Sequence, residues 1–383
     1  MSVTAARGFR AAGVAAGLKS SGGLDVALVV NDGPLDAAAG VFTSNRVKAA
    51  PVLWSEQVLG TGRLGAVVLN SGGANACTGP DGFADTHTTA EAVAATLGMG
   101  AIDVAVCSTG LIGERLPMPQ LLAGIEKAAA SLTPAGGDDA ARAIMTTDTV
   151  PKTAVVAGDG WTVGGMAKGA GMLAPGLATM LCVLSTDAVV DVAGCDAALR
   201  SATARTFDRV DSDGCMSTND TVLLLASGAS GVTPEPAAFA AAVERLCADL
   251  CRQLLADAVG ATKDVAIEVV GAATEPDAVE VGRAVARSNL LKCAFFGNDP
   301  NWGRVLAAVG TTGAAFEPDA LDVAINGVQV CRAGGAGEAR ELVDLSGRDV
   351  AVLVDLHAGP ATATVWTNDL SLAYVHENSA YST

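Results

Sequence analysis

Histidine is scarce in this chain: of 383 residues only His87, His357 and His376 are histidines. None stands in a nucleophile motif, and no Gly-x-Ser-x-Gly elbow occurs, so Ser-His-Asp and Cys-His machines lack their base. A Walker-type phosphate loop and a Gly-x-Gly-x-x-Gly following a strand are missing as well. Cysteines number nine, an odd count without any Cys-x-x-Cys pair, which argues against a disulfide framework or a zinc site and for reduced thiols. Cys107, Cys182 and Cys293 sit in or beside strand-like runs and are expected to be buried. Cys247 and Cys251 are four apart on a predicted helix and so share one face.

Cations are few too. With 24 Lys and Arg against 41 Asp and Glu the formal charge is -17, which excludes a phosphate-binding surface for nucleic acid and a docking surface for anionic membranes. No apolar run reaches the ~20 residues of a membrane span. Arg7, Arg10 and Lys19 precede the first acid, Asp25, but the surrounding residues are Ala and Gly rather than a secretory core, and the expectation is a cytoplasmic protein. Aromatics make up 4%, while hydrophobic residues make up half. The core must therefore be assembled from Ala, Val, Leu and Gly, with backbones close together.

What the chain does have is a regular grammar of short apolar runs and Ala-rich stretches. Strands are predicted at 25–30, 65–70, 101–108, 222–225, 265–270, 350–355 and 362–367, and helices at 86–97, 120–132, 197–207 and 236–256. A hairpin is predicted over 155–163, turning at Gly158-Asp159-Gly160. Gly334 to Gly337 reads as a plain loop, and Asp211-Ser212-Asp213-Gly214 as a polar turn, since the rest of an EF-hand's spacing fails. The fold class is α/β or α+β with layered helices and sheets.

One position concentrates the chemistry. Lys168-Gly169-Ala170-Gly171-Met172-Leu173-Ala174-Pro175 is a glycine-rich stretch. It leads through Ala178 to Thr179, and the buried-looking run Met180 to Leu184 begins directly after. A hydroxyl thus stands at the mouth of a rigid element behind a breakable loop. On local pattern alone Thr179 reads first as the start of a strand, Thr being a good β residue. With histidine excluded, the economical alternative is a threonine nucleophile whose own amine, freed by cleavage of the chain, serves as base. An α-amine titrates at about 7.7–8.0, near enough to neutrality for that task. Ser108-Thr109-Gly110 at the end of an apolar run reads locally as an ordinary strand exit. Thr146-Thr147 reads as a helix end or a turn, and Lys168 as a surface charge.

The ordered set of segments changes these readings. The Lys168 to Leu181 segment resembles the self-cleavage and active-site segment of the ornithine acetyltransferase (glutamate N-acetyltransferase) family. Gly8-Phe9-Arg10-Ala11-Ala12-Gly13, Asn70-Ser71-Gly72-Gly73-Ala74-Asn75-Ala76 and Ser108-Thr109-Gly110-Leu111-Ile112-Gly113 are similar to its signatures. So are Thr146-Thr147-Asp148-Thr149, Ser217-Thr218-Asn219-Asp220-Thr221, Asp299-Pro300-Asn301-Trp302-Gly303-Arg304 and the tail Glu377 to Thr383. They occur in family order along essentially the whole chain.

The resemblance implies a self-cleaving, DmpA-like α/β arrangement. Its α piece would be residues 1–178 and its β piece 179–383, the two intertwined rather than independent domains and assembled as an α2β2 heterotetramer. It implies cleavage between Ala178 and Thr179, Thr179 as nucleophile, and Thr109 with Gly110 as the oxyanion hole. Thr146, Lys168, Thr179, Asn378 and Thr383 are the implied substrate contacts. The implied reaction carries acetyl from N-acetylornithine to glutamate with no cofactor and no metal, with acetyl-CoA a second donor that the family allows. An amidase or aminopeptidase of the same cleavage logic, using water as acceptor, stays open at this stage, as does a binding relative without activity. One departure stands out: in Asp257-Ala258-Val259-Gly260-Ala261-Thr262-Lys263, Val259 occupies the place of a substrate-contacting Glu in the family. Gly176, where many relatives have Asn, is a milder one.

Overall fold

The computed structural model describes residues 2–173 and 180–380; Ala178, Thr179, Gly176 and Thr383 lie outside them. In the first half the order is β1 (Phe9–Val14), β2 (Val26–Asn31), β3 (Ala37–Phe42), α1 (Ala50–Val58), β4 (Ala66–Ser71), α2 (Gly79–Leu97), β5 (Val104–Thr109), α3 (Met118–Ala130), α4 (Gly137–Ala143), β6 (Lys152–Ala157) and β7 (Thr162–Lys168). After the undescribed segment come β8 (Leu181–Thr186), α5 (Val192–Arg205), β9 (Thr221–Ala226), α6 (Pro236–Ala256), β10 (Asp264–Ala272), α7 (Glu275–Ala286), α8 (Asn289–Phe296) and α9 (Trp302–Val309). The chain closes with β11 (Asp322–Ile325), β12 (Val328–Arg332), β13 (Gly335–Ala336), β14 (Asp349–Asp355), β15 (Ala361–Asn368) and α10 (Leu372–Ser379).

Three sheets result. The first runs β1-β2-β4-β5, the second β3-β9-β8-β7-β6, and the third β13-β12-β11-β14-β10-β15. The strictly alternating side chains of β8 and β9 explain how the first two stack. Leu181, Val183, Leu223 and Leu225 enter the core shared with β2, β4 and β5. Cys182, Leu184, Val222 and Leu224 face the other way, into a core made with α5 and α6. The second sheet is thus buried on both faces, and α1, α2 and α3 pack on the first. In the second sheet β8 and β9 lie between β3 and β7, so strands from either side of residue 178 are interleaved.

The predicted shortage of bulk is met by close backbone approach. A Cβ on Gly13 would lie 2.1 Å from the carbonyl oxygen of Asp139, so β1 and α4 can touch only because nothing is there. The third sheet has its own apolar core, built from Val265, Ile267, Val352, Val354 and Val365 with residues of α7, α8 and α9.

Several expectations shift. The helix predicted from Thr86 starts at Gly79, because Pro80 falls in its first turn, where the missing N–H is no loss. The 197–207 helix is α5, which starts at Val192, capped by the Asp191 carboxylate on Gly194 N–H, and ends at Arg205, Phe207 opening a short 3-10 turn instead. Cys293 is exposed, on α8 rather than in a strand, whereas Cys107, Cys182, Cys247 and Cys251 are buried. Gly335 and Ala336 are not plain loop but pair with Arg332 and Cys331 as a short strand. His376 lies in the last turn of α10.

Candidate active site

The site grows from the ends of β5 and β7. β4 and β5 run parallel with Ser71 opposite Thr109, so the chain leaves β5 beside the Gly72-Gly73 turn. Gly73 N–H donates to Thr109 O at 3.1 Å. Gly110 has φ +133°, and a Cβ there would stand 2.5 Å from Gly73 N; the position admits glycine alone. Asn219, just before β9, pins this exit from below: its side-chain amide donates to Ser108 O at 2.9 Å and to Ala74 O at 2.6 Å. Ser108 Oγ in turn donates to Asn70 Oδ1 at 2.6 Å. A strand exit held by two side-chain amides is a rigid frame for hydroxyl and backbone donors.

Lys168 ends β7 on the face that looks toward the first sheet, two residues beyond Met166. It is no surface charge: it is 2% exposed, and Nζ donates to Thr109 Oγ1 at 3.3 Å. Behind it runs a ladder of alternating charge. Asp148 Oδ2 is 3.9 Å from Lys168 Nζ, and Asp148 Oδ1 accepts from Lys152 Nζ at 2.6 Å and from Gly169 N–H at 2.7 Å. Lys152 Nζ donates onward to Asp257 Oδ2 at 2.6 Å. Buried charges persist only when paired in this way. Burial works to raise the Asp148 carboxyl, but the charges of Lys168 and Lys152, with the hydrogen bonds from Lys152 and the Thr146 N–H, outweigh it and hold it at about 2. Burial works to lower Lys168, against the pull of Asp148.

The segment Thr146-Thr147-Asp148 bends shortly after the end of α4, and Thr146 is half-buried, its N–H on Asp148 Oδ2 at 3.0 Å. Thr109, Gly110, Thr146 and Lys168 are thereby brought around one carboxylate ladder. Val259 joins them from the far side of the chain, donating its N–H to Ala170 O at 2.9 Å. Thr147, Thr149, Asp257, Val259, Gly260 and Glu377 line a cavity of about 210 Å³ there, a size that suits an amino acid. Asn378 is not drawn in: it is exposed on α10, and its amide donates to Tyr374 O at 2.8 Å. A larger cavity of about 630 Å³ lies elsewhere, between α7 and the 207–209 turn, among Arg209, Arg283 and Arg287.

Thr179, expected as the nucleophile, is outside the described residues, but residues that border the undescribed segment are placed. Lys168 pairs with Leu181 across the β7–β8 register. Met180 N–H donates to Asp220 Oδ1 at 2.9 Å. Asp220 is fully buried; burial pushes its carboxyl well above the usual range, with Met180 N–H and Lys168 opposing. Sequence reasoning passed over Asp148, Lys152, Asn219, Asp220 and Asp257 as chemistry-bearing residues. Asp148, Asn219, Asp220 and Asp257 did lie inside segments already singled out. Lys152, 105 positions from its partner Asp257, carried no local signal. Among the described residues no group of three or more His, Cys, Asp or Glu could hold a metal ion.

Comparison with known proteins bears on this geometry. A model of the ArgJ family matches residues 10–383. The arginine biosynthesis bifunctional protein ArgJ of Streptomyces coelicolor is 70% identical over 382 residues, covering 100% of both chains. The protein of the same name from Thermobifida fusca is 66% identical over 383 residues, again covering 100% of both. Among solved structures, ornithine acetyltransferase of Mycobacterium tuberculosis complexed with ornithine is 66% identical, with a TM-score of 0.45, covering 47% of this chain and 96% of that one.

Proposed function

The chain belongs to the ArgJ family, and from that premise we propose that it is a bifunctional enzyme of arginine biosynthesis, moving acetyl from N-acetylornithine to glutamate. The observation that carries this reading is the 70% identity to an ArgJ protein over the full length of both chains.

The chemistry runs through two displacements. Thr179 Oγ attacks the acetyl carbon while its proton passes to the α-amine of the same residue. The carbonyl electrons move onto oxygen, where Thr109 and Gly110 N–H donate. Collapse breaks the C–N bond, the departing ornithine nitrogen takes the proton, and an acetyl ester remains on Thr179. The amine of glutamate then attacks that ester by the reverse sequence and leaves as N-acetylglutamate. Thr146, Lys168 and Thr383 are the proposed substrate contacts beside Thr179. The reaction consumes no cofactor; acetyl-CoA, where used, enters as a donor.

The amine exists only if the chain breaks between Ala178 and Thr179. The interleaving of β8 and β9 with β3 and β7 supports reading fragments 1–178 and 179–383 as one body. Two such bodies form the proposed α2β2 assembly, which light scattering would register as twice the chain mass. No helix among the described residues is long and apolar enough to cross a membrane, and cytoplasmic residence is part of the proposal.

Product analysis tests the reaction. With N-acetylornithine and glutamate, N-acetylglutamate should accumulate with ping-pong kinetics. Free acetate at the same rate with and without glutamate would replace this reading with a hydrolase that uses water.

A further inference from the structure

The loop between β1 and β2 is built as a platform. Asp25 is fully buried, and its carboxylate accepts four backbone N–H groups: Ala16 at 2.6 Å, Gly17 at 3.0 Å, Leu18 at 2.6 Å and Lys19 at 3.2 Å. The platform leans on the turn that frames the candidate site. Ser71 N–H donates to Asp25 O at 2.9 Å, and a Cβ on Gly72 would stand 2.8 Å from Leu18 O. The next residue, Gly73, is the one whose N–H holds Thr109 O. Lys19 is thereby carried to the site along the first sheet. It is half-buried, and Nζ donates to the neutral carbonyl of Leu24 at 2.8 Å, leaving two ammonium protons to give. Burial lowers Lys19 from its ordinary value, with Lys168 pushing the same way and Asp25 and Asp148 opposing. Two ammonium groups near enough to repel favour an anion between them.

The two amino acids of the proposed reaction differ at one end. With the transferred acetyl on the α-nitrogen in each, they share an α-carboxylate. Beyond it N-acetylornithine ends in an ammonium and glutamate in a second carboxylate. Lys168, a proposed substrate contact, serves the shared carboxylate, and Asp148 is already tied to Lys152, Gly169 N–H and Thr146 N–H. We propose that Lys19 binds the second carboxylate of glutamate and so selects the acceptor. A carboxylate there receives a charge-assisted hydrogen bond from Lys19 Nζ and relieves the repulsion between Lys19 and Lys168. Glutamine has the same shape without the charge, gains neither, and is the poorer acceptor. This inference rests on the acetyl-transfer reading given above.

The test reads acceptor choice. Self-cleaved native enzyme and Lys19→Met are acetylated with N-acetylornithine and given glutamate or glutamine. Lys19→Met should raise KM for glutamate about 10- to 100-fold, and the preference for glutamate over glutamine in kcat/KM should shrink by a similar factor. The loss should be confined to the acceptor: KM for N-acetylornithine, and nitrophenol release from p-nitrophenyl acetate, a donor without a carboxylate, should stay within about threefold of native. Lys19→Arg keeps a cationic donor and should keep the preference. An equal rise in KM for N-acetylornithine and glutamate overturns the proposal, as does a glutamate-to-glutamine preference that is the same in Lys19→Met as in the native enzyme, or absent from both. Slow nitrophenol release from Lys19→Met marks a damaged loop; the preference is then compared between Lys19→Arg and Lys19→Gln, and its equality in those two also overturns the proposal. A native enzyme that transfers acetyl to neither acceptor would instead sink the acetyltransferase reading.

Discussion

Two regions of the molecule bury lysines, and they do so by different means. In the third sheet Lys263 donates to the carbonyls of Leu345 at 2.5 Å and Gly347 at 2.7 Å. Lys292, on α8, donates to Ser212 O at 2.5 Å, to Thr367 Oγ1 at 2.9 Å and to Asn368 O. These are latches in which a cation gathers neutral oxygens from separate loops. In the stacked sheets Lys152 and Lys168 instead meet carboxylates, and Lys168 ends on a lone hydroxyl. The first pair holds neutral segments together, whereas the second pair is tied into a ladder of carboxylates beside the candidate site.

The sharpest blow to this contrast falls at the proposed nucleophile. Thr179→Ala should leave a single uncut chain on a denaturing gel and lower acetyl transfer by at least about 10³-fold. Two fragments from that variant would remove the nucleophile from the scheme.

Next in size are the two lysine types themselves. Lys152→Met strands Asp148 and Asp257 in a buried setting and should cost about 3–5 kcal/mol in denaturant unfolding, with transfer lost as well. Lys292→Met should destabilise the protein while transfer per folded molecule holds. Equal effects on catalysis from both would erase the distinction.

The ladder also has a pH signature. Asp148 is held at about 2 in the folded chain against an ordinary 3.8. A depressed carboxylate stabilises the fold above its unfolded value, and that stability is lost as pH falls through the folded one. On this linkage the native protein sheds about 2 kcal/mol between roughly pH 4 and 2, and Asp148→Asn should flatten that slope.

The mildest test concerns the acceptor. Val259→Glu restores a carboxylate beside the small cavity and should lower KM for glutamate by about tenfold, leaving the acetylation half-reaction unchanged. No change in KM would mean that position 259 does not face the acceptor.

Much of the scaffold could be read from the chain. α6 fell at 236–256 because Pro236 marks its first turn and an apolar stripe follows. The β6–β7 hairpin fell where Gly158-Asp159-Gly160 offered a turn, with Gly158 N–H on Trp161 O at 2.8 Å. β1, β3 and α4 escaped notice because Ala and Gly give no contrast between faces, and their packing is decided by backbone contact such as that of Gly13 with Asp139. β11 and β12, a short pair, were likewise set by partners rather than by pattern. Within the site, Thr109, Gly110, Thr146 and Lys168 came from family resemblance, since each looked ordinary locally. The burial of Lys168 was not foreseeable from a glycine-rich neighbourhood, which reads as surface. The ladder behind it could not be read at all, because Lys152 and Asp257 meet only once β6 and α6 have packed.

The interleaved second sheet sets an order of events. β8 and β9 belong after the proposed break, and each has a flanking strand from before it. A chain cut early would have to thread its two new halves together, each offering bare hydrogen-bonding edges to every other copy in solution. On the proposed scheme scission is therefore the closing act of maturation, and the uncut precursor serves as its own template.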